Sequence, residues 1–380
     1  MAPAKLRPVT SLYNNDRINA AARAAHTAGV EALLITPGAD LRYLTGYDAM
    51  ALERLTCLLL PAEGPVSLIL PELEVRAVQD SPIPALGIAV IPWSETVDPY
   101  DLVRHVLGES LPVAPSRLAV TNHMAAEQLL SLRAALPKSE FSLAGEIIHT
   151  LRTRKSAEEI AELTAAAAAI DRVHERMAEW LLPGRTEREV ARDVSNAIID
   201  EGHASASFVI VAAGSNSASP HHVPGGQVIE SGDPVVVDIG GRMPSGYCSD
   251  STRTYAVGQP PMPFVEYYQV VYDAQQAGVA AVKPGVTAES VDAACREVID
   301  QAGYGSFFIH RTGHGIGLQT HEEPYLVAGN QLILEPGMVF SVEPGIYLPN
   351  AHGARIEDIV ACTESGVERL NTTTHSLVYL

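Results

Sequence analysis

Residues 182–202, LPGRTEREVARDVSNAIIDEG, recur in altered form at residues 283–303, KPGVTAESVDAACREVIDQAG. In both copies Pro-Gly ends a preceding helix, a threonine (Thr186 or Thr287) can cap the next helix, and a glycine ends that helix. Each copy leads into a strand-like run, FVIVAAG or FFIHRTG, and then into a hairpin that carries two acids. The repeat predicts two related halves that face one another and share a site at their interface.

The sequence before this repeat has the pattern of a different domain. Between residues 15 and 122, short apolar runs such as ALLITP and PVSLILP alternate with amphipathic segments such as DLVRHVLG. This alternation is typical of a small α/β domain. A capping box, SAEE, then begins a long alanine-rich helix at Ser156 that is expected to reach Leu182. We therefore predict an N-terminal α/β domain in residues 1–150 and a larger α+β domain in residues 151–380.

Composition excludes several classes of partner. The 380 residues include 45 acids and 26 bases, and the net charge of −19 would repel nucleic acid and anionic membranes. The N-terminus has no apolar signal core, and no stretch approaches the roughly 18 apolar residues of a membrane span. Cytoplasmic location is therefore expected. Four cysteines without CxxC spacing indicate reduced thiols instead of a disulfide framework or a zinc knuckle: Cys57, Cys248, Cys295 and Cys362.

The first acid hairpin is PVVVDIGGRMPSGYCSDSTRTYAV, residues 234–257. Its β-branched, apolar arms flank a turn at residues 242–246 that contains proline and glycine. Counting outward from Pro244 places Asp238 opposite Asp250, and directly paired residues point to the same face of a sheet. Two carboxylates in that arrangement would repel one another.

The second acid hairpin is MVFSVEPGIYLPNAHGARIEDIVAC, residues 338–362. Counting outward from Asn350 places Glu343 opposite Glu357. An uncompensated carboxylate pair destabilises a sheet, so its occurrence in both hairpins suggests that a cation is bound there.

The segment between the hairpins is HRTGHGIGLQTHEEP, residues 310–324. Its glycines disfavour a regular helix, and we expect an extended or turning segment that brings His314 to a metal and leaves His321 nearby. A single acid at a strand end is most often a turn former or a solvated charge. Acids on apolar strands such as VVVD and FSVE cannot all be solvated, and buried carboxylates need a partner. We therefore predict a dinuclear metal site with five ligands: Asp238, Asp250, His314, Glu343 and Glu357.

Four stretches resemble the signature sequences of the pita-bread metallopeptidases, the family of proline dipeptidase, aminopeptidase P and methionine aminopeptidase: DIGGRMPSGYCSDSTRT, HRTGHGIGLQTHEEP, SVEPGIY and GARIED. The resemblance covers residues 155–380, and the N-terminal domain is similar to that of the creatinase and aminopeptidase P branch. It implies a pita-bread fold with an internal pseudo-two-fold repeat, and a homodimer. The family usually separates its two aspartates by eleven positions, whereas Asp250 follows Asp238 by twelve. An extra residue in the turn at residues 242–246 would absorb the difference.

The resemblance also implies a role for each ligand. Asp238 would bind one metal, Asp250 and Glu357 would bridge both, and His314 with Glu343 would complete the other coordination sphere. Two such cations would lower the pKa of a bridging water and polarise the scissile carbonyl. One nitrogen and several oxygens, without thiolate, favour manganese first, with cobalt or zinc behind.

Three residues are expected to act on the substrate. By the resemblance, Glu343 passes a proton from water to the leaving amine, while His321 and His221 donate hydrogen bonds to the carbonyl oxygen and the tetrahedral intermediate. His221, and not its neighbour His222, resembles the family's substrate histidine. For a histidine among Ser, Pro and Gly, an ordinary loop residue is the alternative interpretation.

Tyr347 and Arg355 stand where the family places groups that support the ligands or face the substrate. The alternative for both is an exposed residue on a strand. Their assignment as substrate-binding residues is therefore an expectation that comes from the resemblance.

The function that these features favour is an exopeptidase that cleaves the bond between an N-terminal residue and proline, in dipeptides or at peptide N-termini. Such bonds resist ordinary peptidases because proline lacks an amide hydrogen and fixes φ. Xaa-Pro dipeptidase is favoured because the chain is compact, and aminopeptidase P is the alternative. A metal-free creatinase-type hydrolase is disfavoured by the full ligand set, and methionine aminopeptidase by the N-terminal domain. A binding protein that has lost its ligands is the non-enzyme alternative.

Overall fold

The computed structural model describes residues 12–111 and 115–380. They divide into two units, of which the first ends at Arg152 and the second comprises Thr153–Leu380. Within the described ranges, none of the helices combines the length and the apolar character that crossing a bilayer would require. All four cysteines are free and buried, as expected for reduced thiols.

The first unit is a six-stranded sheet with helices packed against it. Its strands are β1 Ala32–Ile35, β2 Cys57–Pro61, β3 Ser67–Pro71, β4 Ala89–Trp93, β5 Arg117–Val120 and β6 Glu140–Leu143. The order across the sheet is β4-β3-β2-β1-β5-β6, with β2 antiparallel to both β1 and β3 and the other neighbours parallel. Its helices are α1 Asn15–Thr27, α2 Ala39–Thr45, α3 Val75–Gln79, α4 Ile83–Leu86, α5 Pro99–Ser110, α6 Ala126–Ala135 and α7 Gly145–Thr153.

The central strands of this sheet are buried along their whole length. Every residue of β1, β2 and β3 is buried, so their sequences are continuous apolar runs and do not alternate with polar residues. The α/β class predicted for the N-terminal part is therefore confirmed.

The second unit contains four long helices and three sheets. The helices are α8 Ala157–Glu175, α9 Glu187–Asp200, α10 Met262–Ala281 and α11 Ala288–Gln301. The strands are β7 Ser205–Ala213, β8 Pro234–Arg242, β9 Ser251–Ala256, β10 Gly313–Gly315, β11 Glu322–Leu326, β12 Val339–Val342, β13 Gly345–Tyr347, β14 Gly353–Arg355, β15 Asp358–Thr363, β16 Gly366–Arg369 and β17 Val378–Tyr379. The sheet orders are β17-β9-β8-β7, β11-β10-β12-β15-β16 and β13-β14.

The two halves of this unit repeat the same local geometry. Gly184 and Gly285 precede the equivalent helices α9 and α11, with φ of +90° and +89°. Both values lie in the left-handed region, where glycine is favoured. Gly184 donates its N–H to Ile229 and Gly285 donates to Leu334, at 2.9 Å in each case. The internal repeat predicted from the sequence is therefore present in the backbone.

The two copies of the repeat differ in how their helices α9 and α11 are capped. Thr186 forms a capping box with Glu189 at the start of α9. In the described chain Thr287 makes no side-chain cap for α11, where Ser290 occupies the position equivalent to Glu189. The capping role predicted for Thr287 is therefore wrong, because its copy of the repeat lacks the glutamate that completes a capping box.

Two predicted element boundaries also differ from the structure. The helix that begins at the Ser156 capping box ends at Glu175 and does not reach Leu182, and a 3₁₀ turn follows it. The run FFIHRTG is not a strand before Gly313. Arg296 donates hydrogen bonds to the carbonyl oxygens of Phe308 and His310. These two carbonyls therefore bond to a side chain instead of pairing with a neighbouring strand.

The cores of the two halves determine which strand faces carry the acids. Val235, Val237 and Ile239 of β8 pack into the core that includes residues of α8 and α9. Because side chains alternate across a strand, Asp238 points to the opposite face. Phe340 and Val342 of β12 likewise pack into the core that includes residues of α10 and α11. Each half thus has one apolar face against its helices and one acid-bearing face towards the other half.

A buried histidine in α8 predicts acid sensitivity. His174 Nδ1 lies 2.9 Å from Tyr255 Oη and Nε2 lies 3.2 Å from Ser251 O. Burial and the charge of Arg253 lower the pKa of His174 to about 3. An unfolded histidine titrates near pH 6.5, so between these values the unfolded chain binds a proton that the folded chain excludes. The free energy of unfolding should therefore fall on acidification through this window.

We expect the loss of unfolding free energy between pH 7 and pH 5 to be about 2 kcal/mol smaller in His174→Gln than in the unmodified chain. Glutamine retains hydrogen-bonding atoms and does not titrate. Urea unfolding at the two pH values measures the difference, and equal losses in both proteins would show that His174 does not contribute.

Candidate metal centre

The first pair of acids lies on the hairpin of β8 and β9, where the register differs from the predicted one. Asp238 pairs with Thr252 and not with Asp250. The prediction counted from Pro244, whereas the hairpin closes around Ser245. A shift of two residues preserves the face of a strand. Asp250, directly before β9, therefore still points to the same side as Asp238.

The second pair of acids has the predicted register. The strand pairs on either side, β12 with β15 and β13 with β14, are aligned so that Glu343 lies opposite Glu357. Their own N–H groups bind elsewhere: Glu343 donates to Thr312 at 2.8 Å and Glu357 donates to Thr252 at 3.1 Å. Because Thr252 belongs to β9, the second bond connects the two halves and fixes one acid pair against the other.

His314 occupies the middle of β10 and is aimed by its neighbours. Its Nδ1 lies 3.1 Å from the carbonyl oxygen of Gly315, so the hydrogen of a neutral ring resides there and Nε2 is free to coordinate. Nε2 lies 3.2 Å from Glu343 Oε1 and 3.5 Å from Asp250 Oδ2. Ser341 accepts from the His314 N–H at 3.0 Å and donates to Glu343 at 3.1 Å, which orients both side chains.

The five predicted ligands converge on one site. Within each of three groups, the coordinating atoms lie within 4.8 Å of one another: Asp238, Asp250 and Glu357; His314, Glu343 and Glu357; and Asp250, His314 and His321. Asp250, Glu357 and His314 each belong to two groups. The carboxylates of Asp250 and Glu357 could therefore each share a cation with ligand atoms from two groups. His321 is close enough to contact a cation bound by Asp250 and His314.

The electrostatics of these carboxylates favour a bound cation. Burial and adjacent negative charge raise the pKa values of Asp250 and Glu357 well above the ordinary carboxylate range. Burial alone would also raise the pKa of Glu343, but its hydrogen bond with the His314 ring and nearby positive charge, including that of Arg355, outweigh it and hold the value at about 2. Among the described side chains, Asp238 Oδ1 and Glu357 Oε1 are buried without a hydrogen-bond partner. Divalent cations would neutralise the negative charge of the carboxylates and coordinate these two unpaired oxygens. The residues present therefore fit a metal site.

Arg355 is not an exposed strand residue. It is buried and donates to Asp238 Oδ2 at 2.6 Å, to the Tyr347 hydroxyl at 2.7 Å and to Thr252 Oγ1 at 3.0 Å. Burial raises the pKa of Asp238, and the charge of Arg355 opposes that rise. Tyr347 is buried as well, which excludes the exposed alternative for both residues. Arg355 lines the cavity described below, whereas Tyr347, predicted to bind substrate, is not among its lining residues and accepts a hydrogen bond from Arg355.

The loop that carries His221 and His222 is fixed by Glu187. This fully buried carboxylate accepts from the Ala213 N–H, the Asn216 side chain and the Gly225 N–H, and lies 2.7 Å from His222 Nε2. The His222 side chain is therefore held within the loop by Glu187. His221 lines the cavity beside the acids, and His222 is not among the lining residues.

A cavity of about 800 Å³ opens onto the acids, within the size range of small-molecule sites. The apolar side chains Phe208, Ile210 and Ile309 form part of its wall. His321 also lines it, with its ring centroid 4.1 Å from that of His314. Burial and the positive charges around it, including Arg311, lower the pKa of His321 to about 4, so the ring is neutral near pH 7.

Sequence reasoning missed the side chains that hold the acids in place. Thr252 donates to Glu357 Oε2 at 2.8 Å, and His310 Nε2 lies 2.9 Å from the Tyr347 hydroxyl. The alternation of strand residues places Thr252 on the face of Asp250 and could have identified it. No local pattern indicated Glu187, because its partners are distant in sequence.

Comparisons with known proteins place these observations in a family context. Residues 161–364 match Metallopeptidase family M24, and residues 17–154 match the Creatinase/Prolidase N-terminal domain. The probable dipeptidase PepE of Mycobacterium tuberculosis is 50% identical over 362 residues, covering 95% of each chain. The crystal structure of dipeptidase PepE from Mycobacterium ulcerans has a TM-score of 0.91 and 49% identity, covering 98% of this chain and 99% of that chain. For prolidase from Thermococcus sibiricus, the TM-score is 0.90, the identity 38% and the coverage 96% and 98%.

Removal of Asp250 tests the metal centre. We expect the unmodified chain to retain two manganese ions after dialysis and Asp250→Ala to retain fewer, because Asp250 belongs to two ligand groups. The metal-free variant should melt no lower than the metal-free parent, since the substitution removes one of several mutually repelling carboxylates. Plasma mass spectrometry and thermal denaturation measure both quantities.

Glu368→Ala serves as the control for this experiment, because Glu368 is an exposed acid on β16. It should leave the metal content unchanged. Two retained ions in Asp250→Ala would refute the assignment of Asp250 as a ligand.

Proposed function

The chain belongs to metallopeptidase family M24, and from this premise we propose that it is a metal-dependent Xaa-Pro dipeptidase. The family resemblance, the fold class with its pita-bread C-terminal domain, and the metallopeptidase class predicted from the sequence are confirmed. The observation that carries the proposal is the convergence of four carboxylates and His314 at the base of a cavity with apolar walls.

The cavity suits a short peptide that contains proline. The peptide bond before proline has no amide hydrogen, so a hydrolase must orient it by contacts other than a hydrogen bond from that nitrogen. Phe208, Ile210 and Ile309 offer apolar surface for a pyrrolidine ring or a small side chain. The name prolidase, carried by a 38% identical structure, supports the same substrate class.

The proposed ligands divide between two cation positions. Asp238 would hold a cation at one position, His314 and Glu343 would hold one at the other, and Asp250 and Glu357 would contribute to both. One ligand group contains Asp238, Asp250 and Glu357 and another contains His314, Glu343 and Glu357, which supports this division. When bound, two divalent cations lower the pKa of water and polarise a substrate carbonyl.

The remaining chemistry belongs to the side chains. Glu343 accepts a proton from the attacking water and transfers it to the leaving prolyl nitrogen. His321 and His221 donate hydrogen bonds to the carbonyl oxygen as negative charge develops on it. The position of both rings on the cavity wall supports these roles, and Glu187 keeps the His221 loop in place. Arg355 orients Asp238 by donating a hydrogen bond to one of its carboxylate oxygens.

Three finer features accompany the proposal. Manganese is the preferred ion, with cobalt or zinc behind, because the donor set contains oxygen and imidazole nitrogen without thiolate. A cytoplasmic location agrees with four free, buried cysteines. The homodimer implied by the resemblance stays a prediction.

The proposed activity is tested on purified protein with Ala-Pro and Ala-Pro-Ala. We expect hydrolysis of Ala-Pro in the presence of manganese, loss of activity after chelation, and recovery when manganese is restored. Chromatographic detection of released proline measures turnover. Faster cleavage of the tripeptide would favour aminopeptidase P, and failure on both substrates with manganese, cobalt and zinc would contradict the peptidase proposal.

His321→Ala tests the histidine role. We expect two retained metal ions and a fall in kcat of about 100-fold or more, because one hydrogen-bond donor to the developing oxyanion is removed. Metal analysis and steady-state kinetics distinguish this result from a lost ligand. An unchanged kcat would make His321 a structural residue, whereas lost metal would make it a ligand.

A further inference from the structure

A buried ion pair lies behind the loop that carries His321. Lys155, between α7 and α8, places Nζ 2.9 Å from Oε1 of Glu322, the first residue of β11. Only 1% of the lysine side chain and 6% of the glutamate side chain are exposed. A pair so far removed from water adds little to stability, because the cost of desolvation offsets most of the charge attraction. Its location therefore directs attention to the loop and not to the core.

Glu322 closes the loop between β10 and β11. Gly315 pairs with Glu322 across these strands, so residues 316–321 form the loop and His321 is its last residue. The Glu322 carboxylate packs against Gly317, near the other end of the loop, where an added Cβ atom would meet Oε1 at 2.6 Å. A side chain at position 317 would therefore displace the carboxylate from the lysine. The carboxylate of Glu322 thus contacts both ends of the loop.

Both the lysine and the loop are attached to the framework of the second unit. The Lys155 N–H donates to Gly337 O at 2.8 Å, and Nζ lies 3.4 Å from Thr153 O. Gly337 lies two residues before β12, the strand that leads to the second acid pair. At the other side of the loop, the Cys248 N–H donates to Gly317 O at 2.8 Å. The ion pair therefore joins the loop to elements that also carry the acids.

The geometry links the ion pair to the orientation of one side chain in the cavity. His321 and Glu322 are consecutive residues where the chain enters β11, and consecutive residues of an extended chain point to opposite sides. His321 lines the cavity, whereas Glu322 is not among the lining residues and reaches Lys155 instead. A shift of the Glu322 side chain is therefore transmitted through one peptide unit to the His321 ring.

We propose that Lys155 and Glu322 are positioning residues that hold the His321 ring in its orientation towards the substrate carbonyl. This inference rests on the hydrogen-bonding role of His321 in the proposed function. A donor to a developing oxyanion is effective only when it is held in place before the reaction, by contacts that fix its own backbone. Such a donor stabilises the transition state more than the bound substrate, so its displacement lowers kcat and leaves KM unchanged.

The test removes both charges at once, in Lys155→Met combined with Glu322→Gln. A single substitution would leave one buried charge without its partner and would destabilise the protein. The double variant retains the approximate volume of both side chains, so it should keep two manganese ions and melt close to the parent. We expect kcat for Ala-Pro to fall about 10-fold with unchanged KM, because a small misplacement of a reacting group is costly. An unchanged kcat would overturn the proposal.

A second comparison asks whether the ion pair acts through His321. In the His321→Ala background, the same double substitution should cause no further loss of kcat, because the ring that the pair positions is absent. Equal losses in the two backgrounds would overturn the proposal and would make the pair a general support of the fold.

The matched control is Arg154→Met combined with Glu335→Gln. Arg154 precedes Lys155, and its ion pair with Glu335 has a similar length of 3.0 Å. Its side chains are 61% and 48% exposed, and neither residue lines the cavity. This variant removes the same number of charges at the same junction and should keep the kcat of the parent. A loss equal to that of the buried pair would contradict a specific effect on His321.

A spectroscopic measurement separates this proposal from the proposed function. Nitrogen-15 NMR of histidine rings in the metal-free protein requires no substrate, and the His321 signals are assigned by their absence in His321→Ala. In the Lys155→Met, Glu322→Gln variant these signals should shift or broaden, while those of the distant His174 stay unchanged. Unaltered His321 signals would overturn the positioning role. Absence of Xaa-Pro hydrolysis contradicts only the peptidase function.

Discussion

Mutual repulsion among four carboxylates, three of them buried and one half-buried, is the constraint on which the rest of the second unit depends. Asp238, Asp250, Glu343 and Glu357 lie together with one arginine among them, and burial raises the pKa values of three of them. Such a cluster opposes folding unless rigid elements hold it or cations neutralise it. Two sheets supply the rigidity, and the donor set is suited to the cations. Stability and metal affinity are therefore linked through the same side chains.

The internal repeat explains how one chain brings these acids together. Each half packs one strand face against its own pair of helices and presents the other face, with its acids, to the opposite half. The copies have diverged in their connections. The first uses the buried carboxylate of Glu187 to fix a loop, whereas the second uses Arg296 to hold the segment before β10. These connections carry His221 and Arg311, so the two halves contribute different side chains to the cavity although the framework is repeated.

The two arginines of the cavity illustrate how position decides the role of a charge. Arg355 is buried and fully bonded, and removal of its charge would leave Asp238 without a partner. Among the described residues, the Arg311 guanidinium stacks on the Tyr325 ring and has neither a hydrogen-bond nor an ion-pair partner. The first arginine belongs to the architecture of the metal centre, while the second lines the cavity.

The sequence by itself determined the α/β and α+β division, the repeat, the face on which each acid lies and the five candidate ligands, because these follow from strand alternation and local motifs. It failed at local details of one turn and one helix cap, and where a side chain from another segment supplies a hydrogen bond. The hairpin closes around Ser245, which shifts one strand register by two residues from the predicted one. Thr287 has no glutamate three residues later to complete a capping box. A carbonyl in the run FFIHRTG accepts a hydrogen bond from Arg296 and not from a strand. Only the tertiary structure decided that all three guanidinium nitrogens of Arg355 donate hydrogen bonds, whereas those of Arg311 have no partner among the described residues. Hydrogen-bond partners a hundred residues apart leave no signature in the local pattern of a chain.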